Sequence, residues 1–184
     1  LLSPGDEIIV ADPTFSQYEL HAVIEGAKVV KVPVKQSSGE MDLEAMLEAI
    51  TAKTKIIWLC NPNNPTGTYL PQSLIRAFIK KVPTDVLVIS DEAYQEYVTD
   101  EAISTSLPLL ETLSNIIVMR TFSKAYGLAG LRIGYAIIPT TVSRAFDIVR
   151  PPFNTSTIAQ KAAIVALEDQ AFIEHSVAVN QEEL

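Results

Sequence analysis

"NIIVMRTFSKAYGLAGLRIGYAII", residues 115–138, joins two apolar runs through a loop rich in glycine and leucine, with a single lysine, Lys124, near the start of the loop. Ile116-Ile117-Val118-Met119 reads as a buried strand and Ile133–Ile138 as a second, expected to run antiparallel to the rest. A lysine at such a junction is either exposed at a loop tip or held in a pocket for its amine chemistry. A buried amine shifts its pKa readily and bonds carbonyl carbons.

Outward from this stretch, short apolar strands alternate with amphipathic helices. Strands are predicted over Glu7–Val10, Lys28–Val34, Ile56–Cys60 and Val86–Ser90. Between them, Ser16 opens a helix that Gly26 ends. Asp42 caps another, with Leu43, Met46, Leu47 and Ile50 at helical spacing. Pro71 at the first helical position begins a third, with Leu74, Ile75, Phe78 and Ile79 on one face. After Pro139 the strands stop. Thr141 caps a helix with Val142, Ala145, Phe146 and Val149 on one stripe, and Arg150-Pro151-Pro152 breaks it. A further helix runs through Ile158, Ala162, Ile164 and Leu167 toward the acidic end Gln181-Glu182-Glu183-Leu184. The pattern indicates an α/β fold, a three-layer α/β/α sandwich whose mostly parallel sheet is covered on both faces.

The 184 residues suffice for one domain with a real core. A formal net charge of −8 argues against nucleic acid or an acidic membrane as partner, since both call for basic clusters. A small anion remains compatible, because local cations and helix N-termini can hold it. No run approaches the ~18–20 apolar residues of a membrane span, and Leu1–Asp6 lacks the pattern of a secretion signal. One cysteine, Cys60, allows no internal disulfide and reads as a core residue, which suits the cytoplasm. The Asn154-Thr155-Ser156 glycosylation pattern is taken as chance. His21 and His175 have no metal-ligand spacing around them.

Ligands of such sheets bind beyond the carboxyl ends of the strands, and four polar motifs fall there. Asp12-Pro13-Thr14-Phe15-Ser16-Gln17-Tyr18 places an aromatic that either stacks on a flat ligand or packs in the core. Asn61-Pro62-Asn63-Asn64-Pro65-Thr66-Gly67 is a turn, with more asparagine amides than a turn needs. In Ser90-Asp91-Glu92-Ala93-Tyr94, Asp91 follows a buried strand, so its carboxylate needs a cation or several donors unless it is a helix cap. Around Lys124 stand Thr121, Ser123 and, eight residues on, Arg132: hydroxyls and a guanidinium suited to a phosphate, or a solvated loop. Together they offer an amine, a carboxylate, a phosphate grip, a phenol, an amide and an aromatic plate. Pyridoxal phosphate asks for that set.

In this order the motifs resemble the fold-type I pyridoxal-phosphate aminotransferases of the class I/II group, across essentially the whole chain. The resemblance implies the aspartate aminotransferase-like fold, with residues 1–149 as the cofactor-binding large-domain core and 150–184 as helices leading toward a small C-terminal domain. It implies pyridoxal 5′-phosphate bonded to Lys124, which also moves the proton between the substrate α-carbon and the cofactor. Asp91 would pair with the pyridine nitrogen, and Tyr94 and Asn64 would bond the ring 3′-oxygen. Phe15 would stack on the ring, with Ser123, Arg132 and Thr121 at the phosphate. Within the family, Thr121–Arg132, Arg150–Asn154 and Gln160–Ala163 are most similar to the histidinol-phosphate branch. That implies amino transfer between histidinol phosphate and 2-oxoglutarate in histidine biosynthesis, by a homodimer, with Asn154 as a candidate substrate contact or the N-cap of the next helix.

Two departures stand out. Phe15 occupies a position where the family usually has tyrosine. The segments that would precede Ser3-Pro4-Gly5-Asp6 and follow Leu184 are expected from a longer enzyme, of which this would be the central large domain. Alternatives on the same scaffold are an aromatic or aspartate aminotransferase, a carbon–sulfur lyase, a phospho-amino-acid decarboxylase or a non-catalytic module. A Ser123-Lys124 hydrolase lacks an oxyanion motif.

Overall fold

The computed structural model describes residues 1–100 and 105–183. Six strands form one sheet in the order β2-β1-β3-β4-β5-β6. They are β1 (Glu7–Asp12), β2 (Lys28–Pro33), β3 (Thr54–Cys60), β4 (Leu87–Asp91), β5 (Ile116–Thr121) and β6 (Gly134–Ile137). β1 to β5 pair in parallel, and β6 closes one edge antiparallel to β5, as the sequence leads one to expect.

Side chains alternate across a pleated strand, so the continuous apolar runs build a core on each face. On one face Ile9, Ile57, Leu59, Val88, Ile116 and Val118 pack under α2 (Leu43–Glu48) and α3 (Gln72–Ile79), which contribute Met46, Ile75, Phe78 and Ile79. On the other, Ile8, Val10, Ile56, Cys60, Ile89 and Ile117 meet Tyr18 and Ala22 of α1 (Gln17–Ile24) and Phe146 of α4 (Thr140–Val149). Each fully buried aliphatic is worth roughly 1.5–3 kcal/mol. These two cores make the three layers.

Local starts and stops differ in places from the sequence reading. Asp42 caps α2 through its carboxylate and the Ala45 N–H, as expected. Ser16 makes no side-chain cap, however, and Pro71 is itself the N-cap of α3 because its ψ is extended. Thr141 is not the cap of α4, which begins one residue earlier behind Pro139. The single helix expected after the break is two, α5 (Thr157–Glu168) and α6 (Gln170–Glu182). Asp169 leaves helical geometry and caps α6 through the Phe172 N–H, which splits them. Leu184, counted in that helical end, lies outside the described residues. Gly134 is required by close approach: a Cβ there would stand 2.9 Å from the Arg120 carbonyl oxygen.

Candidate active site

The ends of β3, β4 and β5 lie side by side, with Cys60 opposite Asp91 and Asp91 opposite Met119. The pleat sends Asp91, like Ile89, toward α1. There its Oδ2 accepts the Tyr18 hydroxyl at 2.7 Å and its Oδ1 accepts the Ala93 N–H at 3.1 Å. The Ala93 bond is a local turn and not a helix cap, since only a short 3-10 turn, Gln95–Tyr97, follows. Burial, with a smaller push from the Glu92 charge, raises the Asp91 carboxyl above its ordinary value; the Tyr18 and Ala93 bonds, and more weakly the Lys124 charge, pull it back. Tyr18 is clamped by stacking on Trp58, with ring centroids 4.2 Å apart and planes 13° from parallel. Burial, then the neighbouring Cys60 and Asp91, push its phenol far above the usual range, so it remains a donor.

Asn64 donates its Nδ2 to the Tyr94 hydroxyl oxygen at 3.1 Å. That oxygen's own proton is left to point elsewhere. Lys124 is exposed at the start of its loop, with Nζ over the Tyr94 ring, 5.3 Å from its centroid. Phe15, Asn64, Asp91, Tyr94 and Lys124 all line one small cavity of about 50 Å³. Asn64, Tyr94 and Lys124 also border a wider one of about 590 Å³, whose walls include Tyr69, Tyr97, Asn180 and Gln181. Phe15 is 40% exposed and meets Tyr18 edge-on at 5.5 Å. Its ring borders the small cavity, where it can meet a flat ligand.

Other predicted site residues do not join this group. Thr121 accepts the Ser123 N–H at 3.1 Å. Arg132 sits exposed in the left-handed region, φ 51°, and gives Nη1 to the Ala129 carbonyl at 2.8 Å. Neither they nor Ser123 line the two cavities. Asn154 is exposed and also lines neither, and the capping alternative for it does not hold, because Ser156 caps α5 through the Ala159 N–H. Of the three asparagines in the turn, Asn61 is spent on both backbone groups of Leu70. Asn63 is spent on Pro13, Thr14 and Thr66. Asn63 borders the wider cavity, but of the three only Asn64 also lines the small one.

Three residues at this end of the sheet escaped the sequence reading. Tyr18 was visible as the last letter of its motif, but nothing local said that it reaches β4. Glu92 and Arg120 form a buried ion pair at 2.8 Å on the opposite face.

The sequence profile of the family "Aminotransferase class I and II" matches residues 1–184. Histidinol-phosphate aminotransferase 1 of Bacillus cereus is 54% identical over 184 residues, all of this chain and 49% of that relative. Among solved structures, histidinol-phosphate aminotransferase from Sinorhizobium meliloti in complex with pyridoxal-5′-phosphate matches with a TM-score of 0.88 and 33% identity, over 97% of this chain and 48% of that one. An aspartate aminotransferase variant of Thermus thermophilus matches with a TM-score of 0.87 and 29% identity, over 98% of this chain and 50% of that one. The chain spans about half the length of the curated relatives it matches. The match of profile, sequence and fold over essentially all its residues makes this chain a member of the class I and II aminotransferase family.

Proposed function

We propose that the protein is a pyridoxal-phosphate-dependent aminotransferase that exchanges an amino group between histidinol phosphate and 2-oxoglutarate in histidine biosynthesis. The observation that carries the reading is the convergence of Asp91, Asn64, Tyr94 and Lys124 on one cavity, in a chain 54% identical to an enzyme of that name. The residues fit the cofactor. Asp91 is a partly buried carboxylate pre-oriented by two donors and suited to a protonated ring nitrogen. The Asn64–Tyr94 pair offers an amide and a phenol to a ring oxygen, and the exposed Phe15 face offers a stacking surface. Ser123, Arg132 and Thr121 are assigned to the phosphate on the family pattern alone.

Pyridoxal phosphate supplies, when bound, an aldehyde for an amine and a ring that takes up the electron pair left at the substrate α-carbon. This chain supplies the rest. Lys124 Nζ would hold the cofactor through its aldehyde, and as a free amine it would take the substrate α-proton and return it on the cofactor side. The Tyr94 ring beneath keeps Nζ at the mouth of the cavity. Asp91 keeps the ring nitrogen protonated, and Tyr18 and Ala93 hold that carboxylate in place. Residues 1–149 form the cofactor-binding core in this reading, and 150–184 lead toward a second domain. A homodimer is supported by the exposed Ile148, Phe153 and Ile158, apolar side chains 75%, 99% and 73% open to solvent. The single buried, unpaired cysteine suits the cytoplasm.

Borohydride reduction of the full-length protein followed by peptide mapping is expected to place a pyridoxyl group on Lys124; an adduct on another lysine overturns the site. For the substrate, kcat/KM for histidinol phosphate is expected to exceed that for histidinol, phenylalanine or aspartate by about 100-fold, the scale on which a polar pocket rejects a ligand that leaves it unpaired. Preference for phenylalanine or aspartate, or release of carbon dioxide or a thiol, overturns the substrate reading but leaves the cofactor site standing.

A further inference from the structure

Asp91 and Glu92 are adjacent in sequence and point to opposite faces of the sheet. Asp91 faces α1 and the cavity. Glu92, 2% exposed, faces the other core. Its Oε1 accepts the Ser106 N–H at 2.6 Å and the Ser90 hydroxyl at 3.5 Å. Its Oε2 accepts the Thr105 hydroxyl at 2.7 Å and two nitrogens of Arg120, Nε at 2.9 Å and Nη2 at 2.8 Å. Through Nη1 at 3.2 Å, Arg120 also binds Glu96. Its side chain is only 12% exposed, and all three of its nitrogens are engaged.

The placement of this bridge matters. The backbone ladder between β4 and β5 ends where Asp91 pairs with Met119 and the Glu92 N–H reaches the Met119 carbonyl at 3.0 Å. Beyond that point the chains separate. One enters the turn that carries Tyr94 and Glu96, and the other turns to β6, pairing Arg120 with Tyr135 and Thr121 with Gly134. Arg120 is the first residue of β5 past the ladder and stands four residues before Lys124. Its two carboxylate partners lie one and five residues after Asp91.

We propose that Arg120 is a positioning residue of the active site: by bridging Glu92 and Glu96 from behind the sheet, it fixes the strand end bearing Asp91 and Tyr94 against the one bearing Lys124. The role asks for arginine, whose rigid fork spans two carboxylates, where a lysine ammonium would be a point charge on one.

The inference rests on the proposed cofactor site, and the test separates the two. In the full-length protein, Arg120→Met/Glu92→Gln/Glu96→Gln removes all three charges of the bridge at similar volume, so the cofactor-free protein is expected to melt close to wild type. Its affinity for pyridoxal phosphate is expected to fall about tenfold, the equivalent of one misaligned charged hydrogen bond, and the visible circular dichroism of the bound cofactor to shrink. Arg120→Lys keeps the charge and loses the fork; it is expected to fold in any case and to bind several-fold more weakly than wild type. Wild-type affinity and dichroism in both variants overturn the proposal, as does a loss of affinity that only tracks a loss of melting temperature. A wild-type protein that binds no pyridoxal phosphate overturns the cofactor reading itself, and this inference with it.

Discussion

Replacing Asp91 by asparagine removes a charge and little else. The amide oxygen can accept the Ala93 N–H, and the amide nitrogen can donate to Tyr18, whose hydroxyl then turns its proton away. Packing volume is kept. Two opposite consequences follow. In the cofactor-free protein, burial holds the Asp91 carboxyl above its unfolded value of about 3.9. Across the interval between the unfolded and folded values the native state binds more protons than the unfolded chain, so stability falls as pH rises through it. The asparagine variant has no such loss. It is expected to match wild type in melting temperature below about pH 3.9 and to exceed it at pH 8. In the cofactor-bound protein the sign reverses. A hydrogen bond to a charged group is worth about 1.5–3 kcal/mol, so pyridoxal phosphate should bind roughly ten- to 150-fold more weakly. Melting scans without cofactor at pH 3.5 and 8, and a titration with pyridoxal phosphate, measure both effects on the full-length protein. A variant less stable than wild type at pH 8, or one that binds the cofactor with unchanged affinity, would refute the account of Asp91 as a carboxylate kept at the expense of the fold for the sake of a ligand.

Two further outcomes concern the frame around the site. Glu7, at the opposite end of the sheet, accepts the Thr51 hydroxyl at 2.6 Å and the Lys28 ammonium at 3.2 Å; these, Thr51 first, hold its carboxyl below the usual range against the pull of burial. Its stabilisation is therefore present above the unfolded value of about 4.3 and lost as pH falls through the lower folded value. Glu7→Gln is expected to melt below wild type at pH 7, with the gap narrowing as pH falls below about 4.3; a gap that does not narrow on acidification removes the linkage. Gly134→Ala would press a methyl group on the Arg120 carbonyl, 2.9 Å away, and is expected to destabilise by about 1–3 kcal/mol, lowering the melting temperature by several degrees. An unchanged melting temperature would mean that β6 moves away from β5 at no cost.

The fold was legible because its strands are buried on both faces. A continuous apolar run such as Ile56–Cys60 or Ile116–Met119 is too short for a buried helix and too apolar for a half-exposed strand, so it belongs inside a covered sheet. The helices between the strands carry clear apolar stripes. The boundaries were less legible, because caps are decided by one dihedral. Pro71 takes an extended ψ of 145° and becomes the cap instead of the first helical residue. Asp169 carries no stronger local signal than other acidic residues nearby, yet it splits the last helix into two. Asn154 and Ser156 both have capping chemistry, and only Ser156 stands where its hydroxyl reaches the Ala159 N–H.

The sequence singled out five residues that line one cavity, Phe15, Asn64, Asp91, Tyr94 and Lys124, but not what holds them. Motif reading names a residue by its neighbours in sequence, whereas Tyr18 and Asp91 are 73 residues apart and Arg120 and Glu92 are 28 apart. Alternation could have narrowed the search. Once β4 is taken as a strand with Ile89 on the α1 face, Asp91 must share that face and Glu92 must leave it. Two adjacent carboxylates at a strand end then cannot serve one ligand, and the one sent into the opposite core needs a cation from a neighbouring strand. β5 is that neighbour, and Arg120 is its cation, on the same face as Val118. The dipeptide Asp91-Glu92 therefore divides its charge across the sheet: Asp91 faces the cavity, where a ligand can meet it, and Glu92 faces the opposite core, where Arg120 and the Ser90, Thr105 and Ser106 donors satisfy it.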